Sequence, residues 1–212
     1  MLGYDLINEP VNANHLFHPE YKNSTLFDER VLQPFYEEVM AAIYAVDKEH
    51  VLFFEPTVTE FSKPGFTTGG PGTAVGIPSE LQSYAWHLYC MTIDENGEPV
   101  MPEGLCKIVD DVWYKLRHQY GRDMNVTPII NEFGALPDTE DVAFTLKHEL
   151  SLMSGDAYSW AYWAYKSFGD ITTAFDEVEG LNEGLFNQDG SVQHNKVKYL
   201  SHPYPQLTAG TL

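Results

Sequence analysis

Positive charge is scarce in this chain of 212 residues: 12 Lys and Arg stand against 31 Asp and Glu, a net charge of −19. That balance disfavours nucleic acid and anionic membrane surfaces as partners, since both would be repelled. Long apolar runs are also lacking. No stretch reaches the roughly 20 residues needed to cross a bilayer, so no integral membrane segment is read, and the first residues carry neither a basic flank nor an apolar signal core. No glycine-rich turn follows an apolar strand, which argues against a doubly wound phosphate-binding sheet. Cysteine is nearly absent, with only Cys90 and Cys106. They flank the turn-rich Asp94-Glu95-Asn96-Gly97-Glu98-Pro99, so they read either as a disulfide pinning that loop or as two unrelated thiols.

What is present is enough for a core. At 43% hydrophobic and 14% aromatic content the chain folds rather than staying disordered, and one domain is the default count. Two stretches organise it. Ile129-Ile130-Asn131-Glu132-Phe133-Gly134 is an apolar run, bracketed by Pro128 and Gly134, that reads as one buried strand ending in an acid. Leu2-Gly3-Tyr4-Asp5-Leu6-Ile7-Asn8-Glu9-Pro10 repeats the pattern, with a proline to stop the ladder. Each strand thus delivers one glutamate preceded by asparagine. Paired carboxylates on strand ends are what glycosidic bond cleavage needs, one to attack the sugar carbon and one to protonate the departing oxygen.

Between these strands the chain alternates. Residues 11–26 have loop composition; Leu32, Phe35, Tyr36, Val39, Met40, Ile43 and Val46 then recur at helical spacing, with Pro34 in the first turn or at a break from a preceding one. Val51-Leu52-Phe53-Phe54-Glu55-Pro56 is a strand of the same grammar, and Glu55 reads as a structural or substrate-rim residue because no asparagine precedes it. Residues 57–80 hold too many Gly and Pro for a regular element. Ser83 to Tyr89 alternates, placing His87 and Tyr89 on one face of a strand. A helix from Glu103 to Tyr120 buries Ile108, Val109, Val112, Trp113 and Leu116 and ends before Gly121; another runs from Thr139 to Met153. Ala157 to Tyr165 is an aromatic strand with Trp163 close to its end, and a last short helix spans Val192 to Leu200 after an Asp189-Gly190 turn. Of two glycosylation sequons, at Asn23 and Asn125, the first is the better candidate.

Strand and helix alternating in this way make an α/β fold with a parallel sheet, and functional residues at several strand ends suit the upper face of a (β/α)8 barrel. Asn8-Glu9-Pro10, Trp86-His87-Leu88-Tyr89, Asn131-Glu132-Phe133-Gly134 and Trp163 fall in the order found on strands four, six, seven and eight of the retaining glycoside hydrolases that include cellulase family five. Gly3 to Pro10, Leu32-Gln33-Pro34-Phe35-Tyr36, Phe54-Glu55-Pro56, His87-Leu88-Tyr89-Cys90 and Tyr204-Pro205-Gln206-Leu207-Thr208-Ala209-Gly210 most resemble the endoglycoceramidases of that family.

The resemblance implies a partial (β/α)8 TIM barrel, strands four to eight with their helices over residues 1–202. Three N-terminal βα units are expected to be missing, and 203–212 to begin a truncated C-terminal segment. It implies a glycosidase with Glu132 as nucleophile, Glu9 as acid/base held protonated by the charge of Glu132, Asn8 on the sugar 2-hydroxyl, Tyr89 orienting Glu132, His87 completing the hydrogen-bond shell and Trp163 against a sugar face. Adjacent Asn8 and Glu9 serve one site only if the strand bends there. No cofactor and no metal are implied; the expected partner is a glycolipid or oligosaccharide. The substrate would be the glycan–ceramide linkage, with Phe66, Phe168 and Ile171 offered as lining for lipid chains. A glucan or mannan endohydrolase, or a non-catalytic barrel fragment, are the alternatives. A secreted or lysosomal-type setting follows from the resemblance and the candidate disulfide.

Overall fold

The computed structural model describes residues 1–12, 16–58, 62–89, 101–136, 138–168, 183–187 and 189–201, without the side chains of 103 and 141–143. Five strands and the helices between them follow one another: β1 Gly3–Asp5, α1 Ser24–Phe27, α2 Gln33–Tyr44, β2 Val51–Phe54, β3 Gln82–Leu88, α3 Glu103–Met124, β4 Thr127–Gly134, α4 Glu140–Gly155, β5 Ser159–Trp163 and α5 His194–Leu200. The strands lie in one sheet in sequence order, β1-β2-β3-β4-β5. The β1–β2, β2–β3 and β3–β4 pairings are parallel. A parallel sheet in chain order, with α-helices after β1, β3 and β4 and, among the described residues, only short 3-10 turns between β2 and β3, is part of a (β/α)8 barrel wall.

The chain divides into two compact units. The first contains Met1–Leu88, Ile108–Phe133 and Leu152–Ala161; the second takes Tyr89–Lys107, Gly134–Ser151 and the described residues from Tyr162 onward. In the first unit, all seven residues of β3 are buried, as expected of a strand covered on both faces. The strand, expected to run through Tyr89 with His87 and Tyr89 on one face, ends at Leu88, and Tyr89 lies beyond it. Tyr36, Phe54, Phe66 and Tyr84 pack ring to ring beside it, with centroids 5.3–6.1 Å apart.

Two helix boundaries differ from the sequence expectation. A π-helical stretch, Asp28–Leu32, precedes α2, and Pro34 sits in the first turn that follows, where no N–H is missed. Helix α3 runs through Gly121 to Met124 and closes with Asn125 at φ 57°, the Val126 N–H reaching Gly121 O at 3.2 Å. Gly121 stays inside the helix because a side chain there would press on Pro128 of β4, whose Cβ lies 3.3 Å from the position a Cβ would take. The face α3 buries is also not the predicted apolar one. Ile108 and Val112 are 60% and 47% exposed, while Asp110, Tyr114 and Arg117 are buried. The sheet decides this, since Arg117 Nη1 donates to Tyr84 OH at 2.9 Å and the Tyr114 ring packs on Trp86.

In the second unit α5 presents a buried lysine. Lys196 Nζ donates to Gly184 O at 2.9 Å, and burial lowers its pKa to about 7 against the charges of Asp138 and Glu183. The Asp189-Gly190 turn is as expected, with Gly190 at φ 83° and Ser191 N–H donating to Asp189 Oδ1 at 2.8 Å. Cys106 is buried and disulfide-bonded. Cys90, its expected partner, lies outside the described residues, as do Ile171 and 202–212.

Candidate active site

Four strand ends of the first unit bring their polar side chains together. Strand β1 stops at Asp5, so Asn8 and Glu9 stand on a bend instead of a strand. Glu9 has φ 46°, a left-handed conformation that a residue with a side chain seldom takes. The bend required of two adjacent functional residues is thus present. Glu9 N–H donates to Glu55 Oε2 at 2.9 Å, which holds that conformation.

At the end of β4 a different device does the same work. Trp86 pairs with Ile130 and His87 with Glu132, so Asn131 is an extra residue in the ladder, a β-bulge. On a regular strand Asn131 and Glu132 would face opposite ways. With the bulge both reach one cluster: Asn131 Nδ2 donates to Glu55 Oε1 at 2.8 Å and to Asp5 Oδ2 at 2.9 Å, while Glu132 Oε2 lies 3.7 Å from His87 Nε2. The strand also continues through Phe133 to Gly134, where the sequence reading ended it at the acid.

His87 sits at the centre, its side chain 3% exposed. Nδ1 is 2.7 Å from Glu9 Oε1 and Nε2 is 3.1 Å from Glu55 Oε1. Burial opposes a charge on the ring, but hydrogen bonds to Glu55 and Glu9 and the fields of Glu55 and Glu132 outweigh it and raise its pKa to about 10. The ring is an imidazolium donating from both nitrogens. Glu9 is affected in the opposite sense: its hydrogen bond from His87 outweighs burial and holds the carboxyl below its ordinary value. The expectation that Glu132 keeps Glu9 protonated is therefore not met, because the hydrogen bond from His87 decides the shift. Asp5 is shifted upward by burial and by Glu55, partly offset by Asn131.

Glu9, His87 and Glu132 each offer one atom within 4.8 Å of the others, a spacing a metal ion could bridge. Both ring nitrogens of His87 already face carboxylates, Nδ1 towards Glu9 and Nε2 towards Glu55.

The structure therefore gathers Glu9, Glu132 and His87, places Asn8 exposed beside Glu9, and leaves Asn8 outside the hydrogen-bonded network. Tyr89, half-buried, and Trp163 belong to the second unit. There Trp163 Nε1 donates to Glu183 Oε2 at 2.9 Å. Phe66 is half-buried and packed edge-on against Tyr36 and Phe54; Phe168 is 74% exposed. Asn131 and Asp5 were not singled out from sequence, and Glu55, read there as a structural or substrate-rim residue, proves to be bonded to His87, Asn131 and the Glu9 backbone. For Glu55 a signal existed in the acid-proline ending it shares with Glu9.

No family model matches the chain. The endoglycoceramidase of Cyanea nozakii is 26% identical over 210 residues, 99% of this chain and 38% of that protein. The endoglycoceramidase of Hydra vulgaris is 26% identical over 211 residues, 99% of this chain and 35% of its own length. Among solved structures, endo-glycoceramidase II from Rhodococcus sp., as its lactosyl-enzyme intermediate, superposes with a TM-score of 0.71 at 21% identity, covering 99% of this chain and 42% of that one. The chain spans well under half the length of these relatives, and the resemblance read from its motifs holds over nearly all of it.

Proposed function

We propose that this chain carries the catalytic side of a retaining glycoside hydrolase of endoglycoceramidase type, which cleaves the glycan–ceramide bond of a glycosphingolipid by double displacement. The observation behind it is the approach of Glu9 and Glu132, one oxygen of each within 4.8 Å. Retaining pairs stand about 5–5.5 Å apart, whereas inverting pairs need about 6.5–9.5 Å to seat a water between acid and base. Glu132 attacks the anomeric carbon while Glu9 protonates the departing glycosidic oxygen, leaving a glycosyl ester on Glu132 and a free ceramide. Water then gives a proton to Glu9 as its oxygen attacks the anomeric carbon and releases Glu132.

Glu9 needs a proton for the first step, and His87 Nδ1 holds one 2.7 Å from its Oε1. The two groups act as one acid: as negative charge builds on the leaving oxygen, the proton on the pair is drawn through Glu9. The motif resemblance supports roles for Asn8 on the sugar 2-hydroxyl, Tyr89 in orienting the nucleophile and Trp163 on a sugar face. The lipid substrate is supported by the names of the jellyfish and Hydra relatives and by the Rhodococcus enzyme, which is known with ganglioside GM3. The disulfide at Cys106 supports a secreted or lysosomal-type setting.

In the full-length protein, Glu9→Gln is expected to slow turnover of an unactivated substrate by ~10²–10⁴-fold, and Glu132→Gln to bring it to background. On an activated substrate azide should rescue Glu9→Ala with a glycosyl azide of retained configuration, whereas any azide rescue of Glu132→Ala should give the inverted configuration. Wild-type rates in both glutamine variants would end the mechanism. Release of glycan from a fluorescent glycosphingolipid, against carboxymethylcellulose and mannan, separates the proposed substrate from the glucanase and mannanase alternatives.

A further inference from the structure

We propose that Glu55 is a positioning residue for the Glu9–Glu132 pair: one buried carboxylate fixes the Glu9 backbone, the Asn131 amide and the His87 ring, and holds that ring with both nitrogens facing carboxylates. Its side chain is 3% exposed. Three donors from three other strand ends converge on it, Glu9 N–H at 2.9 Å after β1, His87 Nε2 at 3.1 Å on β3 and Asn131 Nδ2 at 2.8 Å on β4. A buried charge is tolerated only with such partners.

The carboxylate is itself anchored. Glu55 N–H donates to Tyr36 OH at 3.0 Å, and Tyr36 OH donates to Glu55 O at 2.8 Å. Tyr36 is fully buried on α2, so the helix fixes the acid and the acid fixes the three strand ends. Two consequences reach the reacting groups. Glu9 keeps its left-handed backbone because its N–H is turned onto Glu55 Oε2. His87 lies between Glu55 on Nε2 and Glu9 on Nδ1, with Glu132 at 3.7 Å, and Asp5 of β1 adds a further negative charge. From α3 the neutral Trp113 Nε1 donates to its backbone oxygen at 3.2 Å, and Arg117 stacks on that indole. A ring flanked by two carboxylates must carry a proton on each nitrogen, in keeping with its affinity of about 10. Removing the Glu55 charge without changing its shape weakens the hold on the Nε2 proton and leaves the Nδ1 contact to Glu9 in place.

The test reads ring protonation in the chain itself without substrate. Long-range ¹H–¹⁵N spectra follow the eight histidines, with His87 assigned by loss in His87→Asn. Wild type is expected to show both His87 nitrogens protonated to near pH 10, and Glu55→Gln to weaken proton binding at His87 by at least about tenfold. An unchanged His87 titration in a folded Glu55→Gln overturns the proposal. Glu55→Ala should also speed hydrogen exchange of the Glu9 amide, which in wild type is protected although it lies on a half-exposed bend. If neither variant folds, wild type decides: an ordinary His87 titration or an unprotected Glu9 amide refutes the role. Its meaning for catalysis rests on the glycosidase reading, but failure of that reading would appear in turnover and not in these spectra.

Discussion

Asp110 sits on the inner face of α3 with 1% of its surface exposed, and neither carboxylate oxygen has a hydrogen-bond partner among the described residues. Burial, with the charge of Asp111 beside it, lifts its pKa to about 7 from an ordinary 3.8. The folded form therefore holds the proton more tightly than the unfolded one, so this group's contribution is intact below about pH 4 and lost as pH rises through 7. Asp110→Asn should add about 1–3 kcal/mol of stability at pH 8, and nothing near pH 4; urea unfolding at both values checks it, and an equal gain at both would mean ionisation is not the cause. Tyr36→Phe should cost about 1–3 kcal/mol by stranding the buried N–H and carbonyl of Glu55. At this scale the sequence announced Glu9 and Glu132, since an acid closing an apolar run is conspicuous locally. It could not announce Glu55 as a hub, because the partners of its carboxylate lie 46, 32 and 76 residues away along the chain.

Elements obey a different logic, in which the neighbour and not the periodicity picks the face. Helix α3 has an apolar stripe through Ile108 and Val112, yet it turns Tyr114 and Arg117 inward because Trp86 and the Tyr84 hydroxyl await them on β3. Ile108→Lys should therefore stay within about 0.5 kcal/mol of wild type, while Arg117→Met, which leaves a buried phenol short of a partner, should lose about 1–3 kcal/mol. Thermal melts of the two variants rank the faces directly. The bulge at Asn131 was equally hidden, since a run of Ile-Ile-Asn-Glu reads as a straight strand until its pairing with Trp86 and His87 is known. The left-handed closure of α3 is where local chemistry would have sufficed: Asn125 takes φ 57° more readily than most residues. Asn125→Val should lower stability by about 1–2 kcal/mol, again read from melting.

For the molecule as a whole, five strands in chain order were legible from alternating apolar runs and helical stripes, and the motif order alone pointed to the upper strands of a barrel. The division into two compact units was not, because no linker composition marks it and the chain passes between them within α3, β4, α4 and β5. Two buried bases, one in each unit, are perturbed in opposite directions. His87, in the first, is raised to about 10, so folding takes up a proton there and stability falls as pH climbs from about 6.5 toward 10. Lys196, in the second, is lowered to about 7, so folding expels a proton and stability rises from about pH 7 toward 10.5. Each slope approaches about 1.4 kcal/mol per pH unit. A melting curve of the intact chain that barely moves between pH 7 and 10 would thus conceal two strong alkaline responses pulling against each other. Lys196→Met should unmask the loss and His87→Asn the gain, and a flat profile in both variants would mean that neither base is held as described.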